Sequence, residues 1–247
     1  NKKIDKYLRN KYDFNITCGK TVTDFYKENT DYFNENKNLT LSNAMDIDYI
    51  TNVDKRDIEE VIKKYKIPTN KKVLGFIGRL DEQKGIIPFI KELAMYKDEF
   101  SDSVILLVGN GSQEDEIKVL IKELKLEEMF ILTGFQDNVN VFYPIIDVFF
   151  LPSLYEGLPM VLLEAMAFKK VVISMNVGSI SEVILNEETG ILIDKGNYNM
   201  FINELIRLKN NDTIRDRICL GGFDYINKNY NIDSYEKNVT KLYKQLG

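Results

Sequence analysis

The chain has 247 residues, 44% of them hydrophobic and 29% charged, with a formal net charge of -5. That length and composition support a sizeable buried core in an ordinary globular protein, and the acidic balance argues against a nucleic-acid-binding surface, which needs a basic face. Two widely separated cysteines and no histidine exclude a Cys/His metal centre and every hydrolase mechanism built on a Ser-His or Cys-His pair.

Residues 1–13 read as a helix of mixed charge carrying Lys2, Lys3, Lys6, Arg9 and Lys11, either a solvated face or a contact for anionic lipid. Residues 14–18 read as a strand, 20–33 as a helix with Phe25, Tyr26, Tyr32 and Phe33, and 39–42 as a short strand. An amphipathic helix over 54–66 stops before Pro68. Strands and helices then alternate. Apolar runs at 73–77, 104–108, 130–132, 148–151, 171–174 and 191–193 are continuous, as expected of strands covered on both faces. Helices are expected at 85–96, at 113–124, briefly after Asn138, and from Pro159 to Phe168. Past Asn197 the pattern is helical throughout, at 198–209, 212–228 and 233–246. Such alternation predicts right-handed βαβ units, hence an α/β fold with a Rossmann-like doubly wound parallel sheet and trailing helices.

Ligands of such sheets bind outside the carboxyl ends of the strands. A distinctive turn follows each of the first five expected strands: residues 78–85, Gly109-Asn110-Gly111, Gly134-Phe135, Glu156 and Gly178. These turns should share one rim. Arg79 offers a planar fork and Lys84 a point charge, both suited to phosphate oxygens. The third glycine of a dinucleotide fingerprint would fall at Glu114, which disfavours a dehydrogenase. After Glu156, Gly157 frees the backbone and Pro159 sits where a first helical residue belongs. A helix N-terminus there would form an anion site, with the N–H groups of Leu158 and Met160 as candidate phosphate donors. Two acids, Glu156 and Glu164, lie beside it, so hydroxyls as well as phosphates are to be recognised, as a nucleotide sugar requires.

Glu156-Gly157-Leu158-Pro159 and Glu164-Ala165-Met166, with seven residues between the acids, resemble the E-x7-E signature of retaining glycosyltransferases of the GT-B fold, the GT4 family or glycosyl transferases group 1. Gly78-Arg79-Leu80-Asp81-Glu82-Gln83-Lys84-Gly85 resembles that family's G-R-L-x-x-x-K-G segment, and Gly109-Asn110-Gly111 and Thr133-Gly134-Phe135 follow in the family's order. The resemblance covers roughly residues 14–243 and implies the C-terminal, donor-binding domain. It implies that Arg79 and Lys84 hold the donor diphosphate, with Glu156 nearest the transferred sugar, supporting positive charge at the anomeric carbon. Gly78, Asn110, Gly134, Phe135, Leu158, Met160 and Glu164 would complete the donor site, Gly134 and Phe135 by the base and Glu164 on the ribose hydroxyls. Asp137, Tyr155, Ser179 and Glu182 are further candidates, either for contacts to the sugar or for support of the residues that make them.

Residues 42–46 loosely resemble the family's P-N-G-[IV]-D crossing segment. Residues 1–45 are therefore expected to be a remnant of the N-terminal acceptor domain with that crossing, 46–228 the nucleotide-sugar-binding domain, and 229–247 a helix crossing back. The implied reaction is retaining transfer from a UDP-sugar to a glycan or lipid-linked acceptor in surface polysaccharide biosynthesis. The implied setting is the cytoplasm, with peripheral membrane contact by the full-length protein. No metal or other cofactor and no nucleic acid is expected, and this chain alone is expected to lack transfer activity. The rival readings are a non-catalytic nucleotide-sensing or interaction module of the same fold and a GT-B nucleotide-sugar epimerase.

Overall fold

A computed structural model of the chain describes residues 2–246. Asn1 and Gly247, the outermost residues of the expected opening helix and closing segment, lie outside the described residues. A small leading unit comprises α1 (Lys2–Lys11), β1 (Asn15–Thr17), α2 (Lys20–Asn29) and β2 (Asn38–Thr40), with β1 and β2 paired in parallel. Two helices, α3 (Ile47–Thr51) and α4 (Lys55–Tyr65), follow. The main sheet contains β3 (Lys72–Ile77), β4 (Ser103–Val108), β5 (Phe130–Leu132), β6 (Val148–Leu151), β7 (Val171–Asn176) and β8 (Ile191–Asp194). Its longer crossovers carry α5 (Ile86–Leu93), α6 (Glu114–Glu123) and α7 (Met160–Ala167), and α8 (Tyr198–Lys209), α9 (Asp212–Asn229) and α10 (Ile232–Leu246) close the described chain.

The six strands are all parallel, in the order β5-β4-β3-β6-β7-β8. The chain winds outward from β3 to β5, then returns to place β6 against the other side of β3. The order thus reverses between β3 and β6, and a crevice opens there at the carboxyl ends of the strands. Both faces of the sheet are covered, which is why all residues of β4 and β6 are buried. Phe89 of α5 stacks on Phe150 of β6 with centroids 4.6 Å apart and meets the edge of Phe201 of α8 at 6.0 Å. Burial of each such ring stabilises the fold by roughly 2–3 kcal/mol.

Several expected boundaries move for local reasons. The helix expected over 20–33 ends at Asn29, because Thr30 is extended (φ -135°, ψ 140°). The helix expected over 85–96 loses α-helical geometry after Leu93 and continues as a tighter 3-10 segment to Phe100, with Tyr96 non-helical. The helix after Asn138 is a single 3-10 turn, Tyr143–Ile145. Pro159 is the N-cap of α7 rather than its first residue: the ring fixes its φ at -74°, but ψ is 121°, so helical geometry starts at Met160. The sequence pattern gave no sign of α3. It is too short for periodicity to show, and its start is marked by Asp46, whose side chain accepts the Tyr49 N–H at 3.0 Å.

The leading unit is tied to the main one at two places. Gly19, the N-cap of α2, has no side chain with which to cap the helix. Glu182, beyond β7, does so instead: its Oε1 accepts the Thr21 N–H at 2.7 Å and its Oε2 the Lys20 N–H at 2.9 Å. A Cβ at residue 19 would lie 2.5 Å from the Ser179 Oγ, so the close approach depends on glycine. Glu182, one of the further candidates near the sugar, thereby joins the two units, while Ser179, another, packs against Gly19 with its buried hydroxyl oxygen making no hydrogen bond among the described residues. At the second place, the Met45 N–H donates to the Tyr230 carbonyl at 2.9 Å, and Asn238, Lys241 and Leu242 of α10 share a cleft with Leu39, Thr40 and Leu41.

Two expectations follow. Gly178 has φ +58°, and a Cβ there would overlap the Glu156 carbonyl oxygen, whereas Gly196 has φ +82° with open space around it. In urea denaturation Gly196→Ala should cost about 1–2 kcal/mol for left-handed backbone alone. Gly178→Ala should cost clearly more, and equal losses would mean the turn has room to yield. Burial pushes the Glu182 carboxyl up, but the amide donors of Thr21 and Lys20 outweigh it and hold its pKa below the ordinary value. A depressed carboxylate contributes stability above its unfolded pKa and loses it as the pH falls through the lower folded value. Glu182→Gln should therefore lower stability by about 1 kcal/mol at pH 7. In thermal melts that deficit should shrink below about pH 4; a deficit independent of pH would contradict the charged cap.

Candidate active site

The turns that follow the strands at the carboxyl edge are hydrogen-bonded to one another in series. The Gly109 N–H donates to the Gly134 carbonyl at 3.0 Å, joining the turn after β4 to that after β5. The Leu80 N–H donates to the Asn110 carbonyl at 2.8 Å, joining β3 to β4. The Asp81 carboxylate strengthens that joint by accepting from the Ser112 N–H at 2.8 Å and its hydroxyl at 2.9 Å. Across the switch point the Leu154 N–H donates to the Gln83 carbonyl at 2.8 Å, and Gln83 Nε2 donates to the Tyr155 carbonyl at 3.0 Å. The Ser179 N–H reaches the Gly157 carbonyl at 2.9 Å, adding the turn after β7. Gly109 is needed by this belt itself: its φ is +126°, and a Cβ there would overlap the Gly78 carbonyl.

At the middle of the belt Lys84 Nζ lies 2.6 Å from Glu156 Oε1. The two side chains are only 12% and 6% exposed. Ser153, fully buried just beyond β6, donates its hydroxyl to the same oxygen at 2.7 Å. Lys84 is the last residue of the 3-10 turn Glu82–Lys84, which ends at Gly85 in left-handed geometry, and this turn aims the ammonium across the crevice. Two desolvated charges of opposite sign offset each other's burial cost; removing either alone would leave an uncompensated charge.

Arg79 has a different situation. Its side chain is 72% exposed and pairs with Asp81 at 3.1 Å. The Ser112 amide and then its hydroxyl, helped by the charges of Arg79 and Lys84, hold the Asp81 carboxyl below the ordinary carboxylate range. Arg79 and Lys84, alike as candidate phosphate ligands in the sequence, are thus an exposed surface cation and an enclosed one.

Glu164 projects from α7, and its Oε2 accepts a hydrogen bond from the Tyr143 hydroxyl at 2.6 Å. Met160 opens α7, whose first N–H groups have no intrahelical acceptor, while Leu158 is buried in the turn before it. Gly134 turns with φ +67°, and the Phe135 ring beside it is exposed rather than part of the core. Gln136 is pinned by Tyr65 at 2.7 Å and the Thr133 carbonyl at 2.9 Å, which fixes the turn that presents Phe135. Gly78, Lys84, Asn110, Gly134, Phe135, Glu156, Leu158, Met160 and Glu164 therefore lie on or just after the turns of one sheet edge. Asp137 instead lines a groove with Asp57, Glu60 and Lys64 of α4, and Tyr155 is exposed. Sequence reasoning overlooked Ser153 and Tyr143. The available signal for Tyr143 was a phenol inside an apolar run, since a buried hydroxyl must find a partner. Among the described residues no group of three or more His, Cys, Asp or Glu side chains is placed to hold a metal ion.

The profile of the glycosyl transferases group 1 family matches residues 57–219. Over 182 residues the chain is 31% identical to UDP-Gal:alpha-D-GlcNAc-diphosphoundecaprenol alpha-1,3-galactosyltransferase of Escherichia coli, a match covering 72% of this chain and 46% of that protein. The chain thus spans about half the length of the curated relatives it matches. Among solved structures, HepE of Anabaena in complex with UDP-glucose aligns with a TM-score of 0.87 at 20% identity, over 98% of this chain and 67% of that one. The C-terminal domain of a glycosyl transferase group 1 family protein from Francisella tularensis, LpcC, aligns with a TM-score of 0.66 at 26% identity, over 76% of this chain and 99% of that one. The fold is the Rossmann-like architecture of GT-B glycosyltransferases, and the chain belongs to the glycosyl transferases group 1 family.

Proposed function

We propose that the chain is the donor-binding part of a retaining GT4 glycosyltransferase that takes a UDP-sugar, with residues 46–228 forming the nucleotide-sugar domain. The observation that carries this reading is the enclosed Lys84–Glu156 pair at the switch point of the sheet, with a second acid, Glu164, on the helix that starts beside it. A dedicated ammonium, a helix N-terminus and two carboxylates are the groups that a sugar diphosphate needs: cationic and N–H donors for the phosphates, acceptors for the hydroxyls. The UDP-Gal in the name of the Escherichia coli relative and the UDP-glucose held by HepE support the choice of base.

In the proposed reaction Lys84 exchanges Glu156 for a phosphate oxygen when the donor binds. The anomeric C–O bond then breaks and negative charge builds on the departing diphosphate. Lys84, Arg79 and the start of α7 meet that charge where it develops, so the scheme needs no divalent metal. Glu156, freed from its counter-ion, faces the positive charge at the anomeric carbon. The acceptor hydroxyl forms the new C–O bond on the face the diphosphate leaves, and its proton passes to a diphosphate oxygen. Configuration is retained without a covalent sugar–enzyme intermediate. Glu156 and Glu164 serve different groups here, unlike the nucleophile and acid/base pair about 5 Å apart in retaining glycosidases.

Acceptor recognition is assigned to the part of the relatives that this chain does not match. The proposed acceptor is a lipid-linked glycan, in keeping with the diphosphoundecaprenol in the name of the Escherichia coli relative, and the proposed setting is surface polysaccharide synthesis at the cytoplasmic face of a membrane. Among the described residues no helix is long and apolar enough to cross a membrane.

Calorimetric titration with UDP, GDP, ADP and their sugar conjugates tests the reading. UDP and a UDP-sugar should bind, Arg79→Ala and Glu164→Ala should each weaken binding about tenfold, and the chain alone should not transfer sugar. Failure of every nucleotide to bind, or binding indifferent to both substitutions, would contradict it.

A further inference from the structure

Tyr143 is a fully buried phenol that the proposed reaction leaves without a role. Its ring stacks on Phe168, just past the end of α7, with centroids 5.0 Å apart and an 18° interplanar angle, and lies 6.0 Å from Phe149 of β6. Phenylalanine would serve that packing equally well. What the hydroxyl adds is its 2.6 Å hydrogen bond to Glu164 Oε2, with a much longer approach of 3.4 Å to the Val161 carbonyl. Burial first, and then the charge of Glu164, raises the phenol pKa well above its ordinary value, so the oxygen keeps its proton and is a donor. Among the described residues no ion pair includes Glu164. Its carboxylate is thus oriented by one neutral donor on one oxygen.

From this geometry we propose that Tyr143 is a positioning residue that determines ribose recognition: by occupying Glu164 Oε2 it turns Oε1 outward as the acceptor for the vicinal hydroxyls of the nucleotide sugar's ribose. This rests on the donor-site reading above. A carboxylate held at one oxygen by a clamped ring cannot swing away, so little side-chain entropy is lost when the diol binds. The device therefore favours ligands that carry the hydroxyls and is indifferent to those that lack them.

The test compares binding of UDP and 2′,3′-dideoxy-UDP to the wild type, Tyr143→Phe, Glu164→Ala and the double variant. The phenylalanine ring keeps the stack on Phe168, and circular dichroism and thermal melting confirm that each variant is folded. Wild type should prefer UDP by at least roughly tenfold, as a hydrogen bond to a charged group implies. Tyr143→Phe should weaken UDP binding roughly tenfold while leaving the dideoxy analogue unchanged, and it should have no further effect once Glu164 is alanine. Equal weakening of both probes would overturn the assignment in favour of a packing role. Undiminished preference for UDP in Tyr143→Phe would overturn it as well. A wild type that binds neither probe would refute the donor-site reading, and the inference with it; a wild type that discriminates while the variant does so equally removes only the role of Tyr143.

Discussion

The carboxyl edge of this sheet is built around one enclosed ion pair. Lys84 and Glu156 are 72 residues apart in sequence, and each lies in a turn following one of the two central strands. Neither charge would be tolerable alone at its depth, because the cost of taking an ion out of water is several kcal/mol and only a close counter-ion with further hydrogen bonds offsets it. Ser153 supplies such a bond on the carboxylate side. The Lys84 ammonium and the Ser153 hydroxyl thus meet on one oxygen of Glu156, so the carboxylate is satisfied from both sides of the crevice. Arg79, on the same turn, stands out in solvent beside Asp81, so its charge carries little desolvation cost.

Around that pair the fold supplies stiffness through backbone. Each turn along the carboxyl edge from β5 to β7 donates or accepts at least one main-chain hydrogen bond with its neighbour. A shift in one turn would therefore strain the next, and the pair sits where two halves of the sheet meet. The belt extends past the main sheet: Ser179 bonds to the turn of Glu156, and Glu182, three residues on, caps α2. Any reorientation of the leading unit thus bears on the segment that holds the turn of Glu156, through two amide–carboxylate bonds.

Most of the fold could be read from the sequence, because a parallel sheet covered on both faces leaves uninterrupted apolar runs and its crossovers leave periodic ones. The six strands of the main sheet and the trailing helices were visible for that reason. The turns that carry the candidate site were visible too, since glycines, a proline and charged residues interrupt those runs at strand ends. The pairings were not visible. Nothing local tells Lys84 that its partner is Glu156 rather than a ligand, because the contact depends on the return of the chain from β5 to β6. Glu182 read as a candidate acid on a turn, and its bonds to the Thr21 and Lys20 amides were hidden, because they follow from Gly19 lacking a capping side chain in a different unit. Pro159 was misplaced by one position because a fixed φ does not fix ψ. Tyr143 was hidden among apolar neighbours, where its ring belongs and its hydroxyl does not.

The central claim, that Lys84 and Glu156 are each other's buried counter-ion, is tested most directly by a double-mutant cycle in urea denaturation with Lys84→Met, Glu156→Gln and both together. Each single change should cost about 3 kcal/mol or more by leaving a lone enclosed charge. The double variant should recover much of that, giving a coupling energy above about 2 kcal/mol. Effects that add to within about 0.5 kcal/mol would show that the two charges are independent, and the account of the site built on their pairing would be wrong.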